Sequence, residues 1–509
     1  MRILHAGWGF RPWRGGGLID FAEDMMESQA ARGHGVTYFF GGRHYPLLRA
    51  PRLHRWRRRG VQMLEVLGST IPAGLDRGTR FPLLDLDEPR MEGLFRRALI
   101  DVEPQLVVLH ELLGLPSSVI DVAHEHGVPV ALIAQDYFPL CPTLKLFDAD
   151  HSICLRHDPA PQCVRCCRDA PIGTRHMRQM TTAFELQRLG SRFPRARDRG
   201  RRALASIVRL PSGLPVDDRP HTGGQPPAPV EDYRRRRAEN VERLARLDVL
   251  VGASRRLTEI YAQLGVPRDR LRTIRCTAGH IHRLEPRRMT APPRPVRFAT
   301  LAGAANLEKG SRVLLEAARL LEDSPARGGY RLDVHGLVDE EIRPELARLP
   351  SVTIRGRYDL GSLDSILDGV DVGIVPSIWE ETLAHTGFEF LAKGVPVIVN
   401  AVGGMPEYTL PGTSGWLNRS CGGAELAQIM AGIVARPEEV VSLHEQIVER
   451  RDEFVNPLEA QIAELEEVFA ELIARGGSDG GSETTAGGPP APGAGDRAGA
   501  GAGASGRAR

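Results

Sequence analysis

The stretch Pro376-Ser377-Ile378-Trp379-Glu380-Glu381-Thr382-Leu383-Ala384-His385-Thr386-Gly387-Phe388-Glu389, with Leu391-Ala392-Lys393-Gly394-Val395-Pro396-Val397-Ile398 close behind, decides how this chain is read. Before it, Val372 to Val375 is a short apolar run, as expected of a strand buried on both faces. Pro376 ends that strand, a helix follows, and Gly394 closes it before the next buried strand, Pro396 to Val399. Glu381 therefore falls in the loop at a strand's carboxyl end, and Glu389 lies on the following helix. Two glutamates eight positions apart mean nothing by spacing alone in a chain with 64 acidic residues. The strand–loop–helix–strand context gives them meaning, because open α/β sheets bind ligands beyond the carboxyl ends of their strands.

The same alternation extends on both sides. Val296 to Leu301, Arg331 to His335 and Val352 to Arg355 read as further strands, with helices after Gly310 and near Gly361 to Asp368. An earlier run repeats the pattern. It has strands at Ile3 to Ala6, Val36 to Phe40, Leu106 to Leu109, Pro129 to Ala134 and Asp248 to Gly252, with helices near 18–32 and 117–126. Strands alternating with amphipathic helices imply a parallel sheet covered on both faces. The fold class is α/β, with two doubly wound, Rossmann-like parallel-sheet domains facing a cleft. The expected boundaries are 1–288 and 289–440, with C-terminal helices over 441–475 that pack back on the first domain. Asn456-Pro457 starts the last helix, and Gly476 ends it. The tail 476–509, almost all Gly, Ala, Pro, Ser and Thr, is expected to be disordered. An exposed linker is expected over 192–230.

Composition excludes several classes. At 42 % hydrophobic and 26 % charged residues the chain is an ordinary globular protein, and 509 residues suit two or three domains. Lys+Arg 66 against Asp+Glu 64 leaves a net charge of +2, too little for a nucleic-acid binder working by bulk charge. Seven cysteines do not make a disulfide scaffold. No window is long and apolar enough for a membrane span, and the N-terminus reads as a strand, not a signal peptide. A cytoplasmic location is the expectation. Only Lys145, Lys309 and Lys393 are lysine among the many basic residues.

The segment 372–407 resembles the retaining glycosyltransferases of family four, which have the GT-B fold. The Pro-Ser strand end, Glu381 and Glu389 with seven residues between, the Gly-x-Pro-Val-Ile strand and Gly403-Gly404-Met405-Pro406-Glu407 carry the resemblance. More weakly it extends over 1–45, 100–142 and 235–420. The resemblance implies transfer of a sugar from a nucleoside diphosphate sugar (UDP- or GDP-linked) to a glycan, lipid-linked or small-molecule acceptor, with retention of anomeric configuration. It implies no cofactor and no catalytic metal. Glu389 would accept from the ribose hydroxyls, Glu381 with Leu383 and Ala384 would meet the donor sugar, and Lys309 would neutralise the departing diphosphate. Gly303 lies in the same loop as Lys309, and the arginine expected beside the diphosphate is replaced by Ala304. Gly15-Gly16-Gly17 follows the first strand, where Gly16 and Gly17 would let backbone approach the donor phosphates. His110 would contact the reacting sugar from the first domain. Gln135 stands before Asp136-Tyr137 where many relatives have histidine. Ala304 and Gln135 are the features that favour the alternative, a non-catalytic binding or scaffolding relative. No complete Gly-x-Gly-x-x-Gly with a following acidic residue supports a dinucleotide enzyme.

Cys141, Cys154, Cys163, Cys166 and Cys167 cluster in an insertion at 141–167. Cys163-x-x-Cys166 is half of a zinc pattern that Cys141 and Cys154 could complete, and free buried thiols are the other reading. Arg52, Arg55, Arg57, Arg58 and Arg59 around Trp56, and the run 192–202, are basic stretches. They read either as solvated loops or as faces for peripheral contact with an anionic membrane.

Overall fold

A computed structural model describes residues 1–45, 48, 50–71, 77–170, 175–192 and 228–479. Most of the arginine-rich run 192–202, the linker up to 227 and the tail from 480 lie outside the described residues.

The first domain is built on β1 (Arg2–Gly7), β2 (Gly35–Gly41), β3 (Arg52–Arg58), β4 (Val61–Leu67), β5 (Leu106–Leu109), β6 (Val130–Ala134), β7 (Val249–Gly252) and β8 (Leu271–Thr273). They form one sheet in the order β3-β4-β2-β1-β5-β6-β7-β8. All pairs are parallel except β3 with β4. The second domain carries β9 (Val296–Thr300), β10 (Tyr330–His335), β11 (Val352–Gly356), β12 (Val372–Val375), β13 (Val397–Asn400) and β14 (Gly415–Asn418). Their order, β11-β10-β9-β12-β13-β14, is fully parallel and reverses direction between β9 and β12. That reversal is the place where a doubly wound sheet opens a crevice for a ligand.

Helices cover both faces. The helix Arg255–Gln263 starts at Ser254, whose side chain accepts from the Leu257 N–H. In Pro89–Val102 the Glu88 carboxylate accepts from the Met91 N–H at 2.8 Å. These caps satisfy amides that the helix itself cannot. The last helix, Leu458–Asp479, runs past Gly476 by three residues. It inserts Ile462, Leu465 and Phe469, all fully buried, among Ile3, Phe21, Met25, Leu106 and Val249 of the first domain. At ~1.5–3 kcal/mol per buried side chain, these three supply roughly 5–9 kcal/mol of attachment.

The stretch at Arg52 to Arg59 is an edge strand and its turn, not a solvated loop. Arg55 pairs with Asp101, Arg58 with Glu23 and Arg59 with Glu27. Alternation in β3 puts Trp56 against the sheet while its arginines find acidic partners on neighbouring elements. The hairpin escapes the sequence pattern because charge masks its period. No described helix is long and apolar enough to cross a membrane.

Candidate functional site

The site lies where the loops after β9 and β12 meet the first domain. Gly310, at φ 91°, is the N-cap of the helix Ser311–Glu322 and leaves no room for a side chain: a Cβ there would stand 2.0 Å from the Pro376 carbonyl oxygen. Gly303 is likewise pressed against Pro376, with its N–H on Thr300 Oγ1 at 2.9 Å. The two loops are thus packed backbone to backbone, which brings Lys309 to Glu381. Lys309 Nζ donates to Glu381 Oε1 at 2.5 Å, and Ser377 Oγ donates to the same oxygen at 2.8 Å. The ammonium also stands 5.2 Å from the Trp379 ring centroid. Glu381 is buried, whereas a third of the Lys309 side chain is exposed. An ammonium has three N–H donors, so one is held by Glu381 and two remain for a ligand.

Glu389 sits on the helix His385–Ala392. Its Oε1 meets His280 Nε2 at 2.8 Å, and its Oε2 is buried without a partner among the described residues. A carboxylate that keeps one oxygen unbonded in the interior is costly unless a ligand completes it. Ala384, at φ 54°, precedes the helix in the left-handed region, which costs ~1 kcal/mol for a residue with a Cβ. No side chain caps this helix or Ser311–Glu322. Two helix starts therefore flank Lys309 and Glu381, with the Ser311 N–H given to the Asn306 carbonyl and the Gly387 N–H to that of Ala384, and such starts favour anions. Leu383 is buried in the second domain's core, so its side chain supports the loop.

Contacts between the domains surround this cluster. Lys145 pairs with Glu308, Thr382 Oγ1 donates to the Gln135 carbonyl at 3.1 Å, and Arg256 grips Glu380 with two N–H groups at 3.0 and 2.5 Å. Tyr137 lies close enough for Glu380 and Glu381 to add to the burial that pushes its phenol well above the ordinary range. Gly403 and Gly404 abut the backbone of Glu381 and Thr382, and Gly404 also touches Ser254 of the first domain. Their turn delivers Glu407, whose oxygens accept the N–H groups of Arg255 and Arg256 at 3.0 and 2.8 Å. The Gly-Gly-Met-Pro-Glu segment therefore clamps the Glu381 loop onto a helix start of the other domain. Gly17 packs against the His385 ring, and Gly16, at φ 127°, faces open space.

His110 ends β5 inside the first domain, 2 % exposed, stacked on His5. His5 Nε2–H donates to Gln29 Oε1 at 2.9 Å, which leaves His5 Nδ1 to accept from His110 Nε2–H at 3.0 Å. His110 Nδ1 is then a buried acceptor without a partner. Burial drives the His110 pKa down to about 3 and that of His5 well below 6.5, so both rings are neutral. His110 is thus engaged within its own domain, with Nδ1 as its free acceptor among the described residues.

Ala304 is fully buried in the second domain's core. Several groups in or near the site were not singled out as site residues from the sequence. His280 comes from a single helical turn, Gly279–His282, too short to show a period in the sequence. Glu111, buried with Oε2 unpartnered, and Asp136 end adjacent strands β5 and β6; burial pushes Glu111 well above the usual carboxylate range and Asp136 up to about 6. Arg14, in the Gly-rich loop, is 4 % exposed and lies over Trp8 and Trp13 at 4.7 and 4.2 Å, with the Met180 and Met177 sulfurs as its hydrogen-bond acceptors. Burial without a carboxylate lowers its pKa to about 9. The Asp-x-Asp triplets are engaged elsewhere: Asp85 with Arg236, Asp87 with Arg243, Asp148 with Arg156 and Asp150 with Arg165.

Residues 297–436 match the family described as glycosyl transferases group 1. Over 177 residues the chain is 28 % identical to WcaL of Escherichia coli K12, whose name places it in colanic acid biosynthesis as a glycosyltransferase. That match spans 33 % of this chain and 43 % of the relative, less than half of its length. The whole fold is similar to the sucrose-phosphate synthase of Thermosynechococcus elongatus, with TM-score 0.58 and 14 % identity over 93 % of this chain and 100 % of that one. HepE of Anabaena in complex with UDP gives 0.55 and 12 % over 92 % and 100 %. The UDP-forming α,α-trehalose-phosphate synthase of Burkholderia xenovorans gives 0.56 and 12 % over the same shares. At these identities the likeness shows the fold, a two-domain GT-B architecture.

Proposed function

With residues 297–436 forming a glycosyl transferases group 1 domain on a GT-B fold, we propose that this protein transfers a sugar from a nucleoside diphosphate sugar to an acceptor held by the first domain, with retention of configuration. One observation carries the reading: Lys309, Glu381 and Ser377 converge within hydrogen-bond distance where the two domains touch. Breaking a bond to a diphosphate builds negative charge on the leaving oxygens. Preorganised N–H donors at that place lower the barrier most effectively. Lys309 has two donors left, and the two uncapped helix starts add amides. With the Asp-x-Asp carboxylates held by arginines, this cation and these amides carry the charge in the metal-independent mechanism we propose.

Glu389 Oε2 would accept the ribose hydroxyls, with His280 fixing the other oxygen. Glu381, held by Ser377 and Lys309, would orient the donor sugar. The acceptor side offers His110 Nδ1 as a neutral acceptor, and Glu111 and Asp136 at the adjacent strand ends. The domain contacts close the site against water, which limits donor hydrolysis. WcaL, named for glycan biosynthesis, and the UDP-bound neighbours support a UDP-type donor and a glycan acceptor.

The buried Ala304 favours a second reading, a non-catalytic nucleotide-sugar binder. Calorimetry with UDP and GDP, followed by incubation with radiolabelled UDP- and GDP-sugars and cell extract, separates the two. Transfer with the donor's anomeric configuration, abolished in Glu381→Gln, is the expected result. Nucleotide binding without transfer or hydrolysis would establish the binder. No nucleotide binding, or binding unchanged in Glu389→Gln, would sink both.

A further inference from the structure

The insertion after β6 holds four thiols around one small cavity. Cys141, Cys154, Cys163 and Cys166 all line one partly open cavity of about 20 Å³, room for a water or an ion rather than a side chain. The four come from three pieces of chain. Cys141 follows the segment Phe138 to Leu140, Cys154 follows a turn closed by the Phe147–Ile153 bridge, and Cys163 and Cys166 share one face of the helix Ala160–Cys166. The fifth thiol is sorted out of the set. Cys167 is absent from that lining and packs instead against Gly78, Ala170 and Tyr233. Among the described residues no three His, Cys, Asp or Glu side chains are drawn together to metal-holding geometry, so the thiols ring the cavity rather than meet in it.

The surroundings of the cavity are cationic and donate hydrogen bonds to sulfur. The Ala149 N–H donates to Cys166 Sγ at 3.3 Å, Arg156 Nη1 donates to Cys154 Sγ at 3.2 Å, and Thr143 Oγ1 lies 3.2 Å from Cys141 Sγ. Arg237 also lines the cavity and is 7 % exposed. One of its terminal nitrogens donates to the Leu140 carbonyl and the other is buried without a partner among the described residues. Asp148, the carboxylate at the rim, is already taken by Arg156 and by the N–H groups of Asp150 and Ser152. A buried guanidinium facing neutral thiols is an unfavourable arrangement; facing thiolates, it is compensated.

We propose that Cys141, Cys154, Cys163 and Cys166 bind one zinc ion as a closed tetrathiolate structural site, with Arg237, Arg156 and the Ala149 N–H as its outer shell. On binding, four S–H groups release their protons to solvent and four Zn–S bonds form, giving a centre of net charge −2 that the Arg237 guanidinium partly offsets. The ion ties the loop that presents Lys145 to Glu308, next to Lys309, so it braces one of the contacts between the domains.

The test reads metal content, which is independent of sugar transfer; failure here and failure of the transferase reading are therefore distinguishable. The full chain, purified without added metal, is analysed by plasma mass spectrometry and by zinc release to a chromogenic chelator on thiol modification. About one zinc per chain is expected. It should fall at least about fivefold in Cys163→Ser and stay unchanged in Cys167→Ser. Cobalt exchanged into the wild-type protein should give thiolate-to-metal charge-transfer absorption and tetrahedral d–d bands, which needs no variant to fold. Metal below about a tenth of an equivalent with four thiols titrating in the native protein would overturn the proposal, as would iron in place of zinc, or equal loss in Cys167→Ser.

Discussion

Gly17 of the first domain and His385 of the second meet so closely that a Cβ on Gly17 would stand 2.3 Å from His385 Nδ1. The glycine is required by the partner across the cleft, not by its own backbone. Its neighbour Gly16 is the converse, with nothing within 4 Å but a φ of 127°. The two should respond differently to alanine. Gly17→Ala should hold the domains apart and lower kcat/KM by at least about tenfold (~1.4 kcal/mol) with little change in stability. Gly16→Ala should cost ~1 kcal/mol of stability through backbone strain. Steady-state kinetics and urea unfolding distinguish them, and equal kinetic losses would refute the assignment of Gly17 to domain apposition.

Lys309→Ala should reduce kcat about 10²–10³-fold, the scale for losing one preorganised donor to a developing negative charge. The Lys309–Glu381 pair is partly exposed, so stability should move by under ~1 kcal/mol. A large melting shift with kcat intact would mean that the pair is structural.

Glu407 accepts two N–H groups at the start of the helix Arg255–Gln263 in the other domain. Glu407→Ala should destabilise the protein by ~0.5–2 kcal/mol, as removal of a helix cap does. Hydrogen exchange at Arg255 and Arg256 should speed up before any change in the core strands. Protected amides at these two positions in the variant would contradict the contact.

The His5–His110 pair sets an acid limit. Both folded-state pKa values lie below the unfolded value near 6.5, His110 at about 3. Below pH 6.5 the unfolded chain therefore binds protons that the folded one refuses. The stability contribution is fully present above pH 6.5 and declines as pH falls toward 3, by up to ~1.4 kcal/mol per pH unit for each ring. Urea midpoints measured from pH 7 to 4.5 should fall more steeply in the wild type than in His110→Gln. Parallel slopes would show that the rings do protonate in the folded state.

Local pattern alone decided much of this protein. Val372 to Val375, Glu381, Glu389, Gly394 and the Pro396 strand determine a strand–loop–helix–strand unit, because apolar period, proline and glycine act within a few residues. The same rules placed Lys309 at a helix start. The β3–β4 hairpin was illegible, since its arginines are neutralised by Glu23, Glu27 and Asp101 on other elements. Only the tertiary structure decided that His280 holds Glu389, that Ala304 points into the core, that Glu407 caps a helix of the other domain and that Cys167 stands outside the ring of four thiols. Each of these depends on distances between segments far apart in sequence, and such distances are set by the packing of two sheets and the helices between them, which no local period encodes.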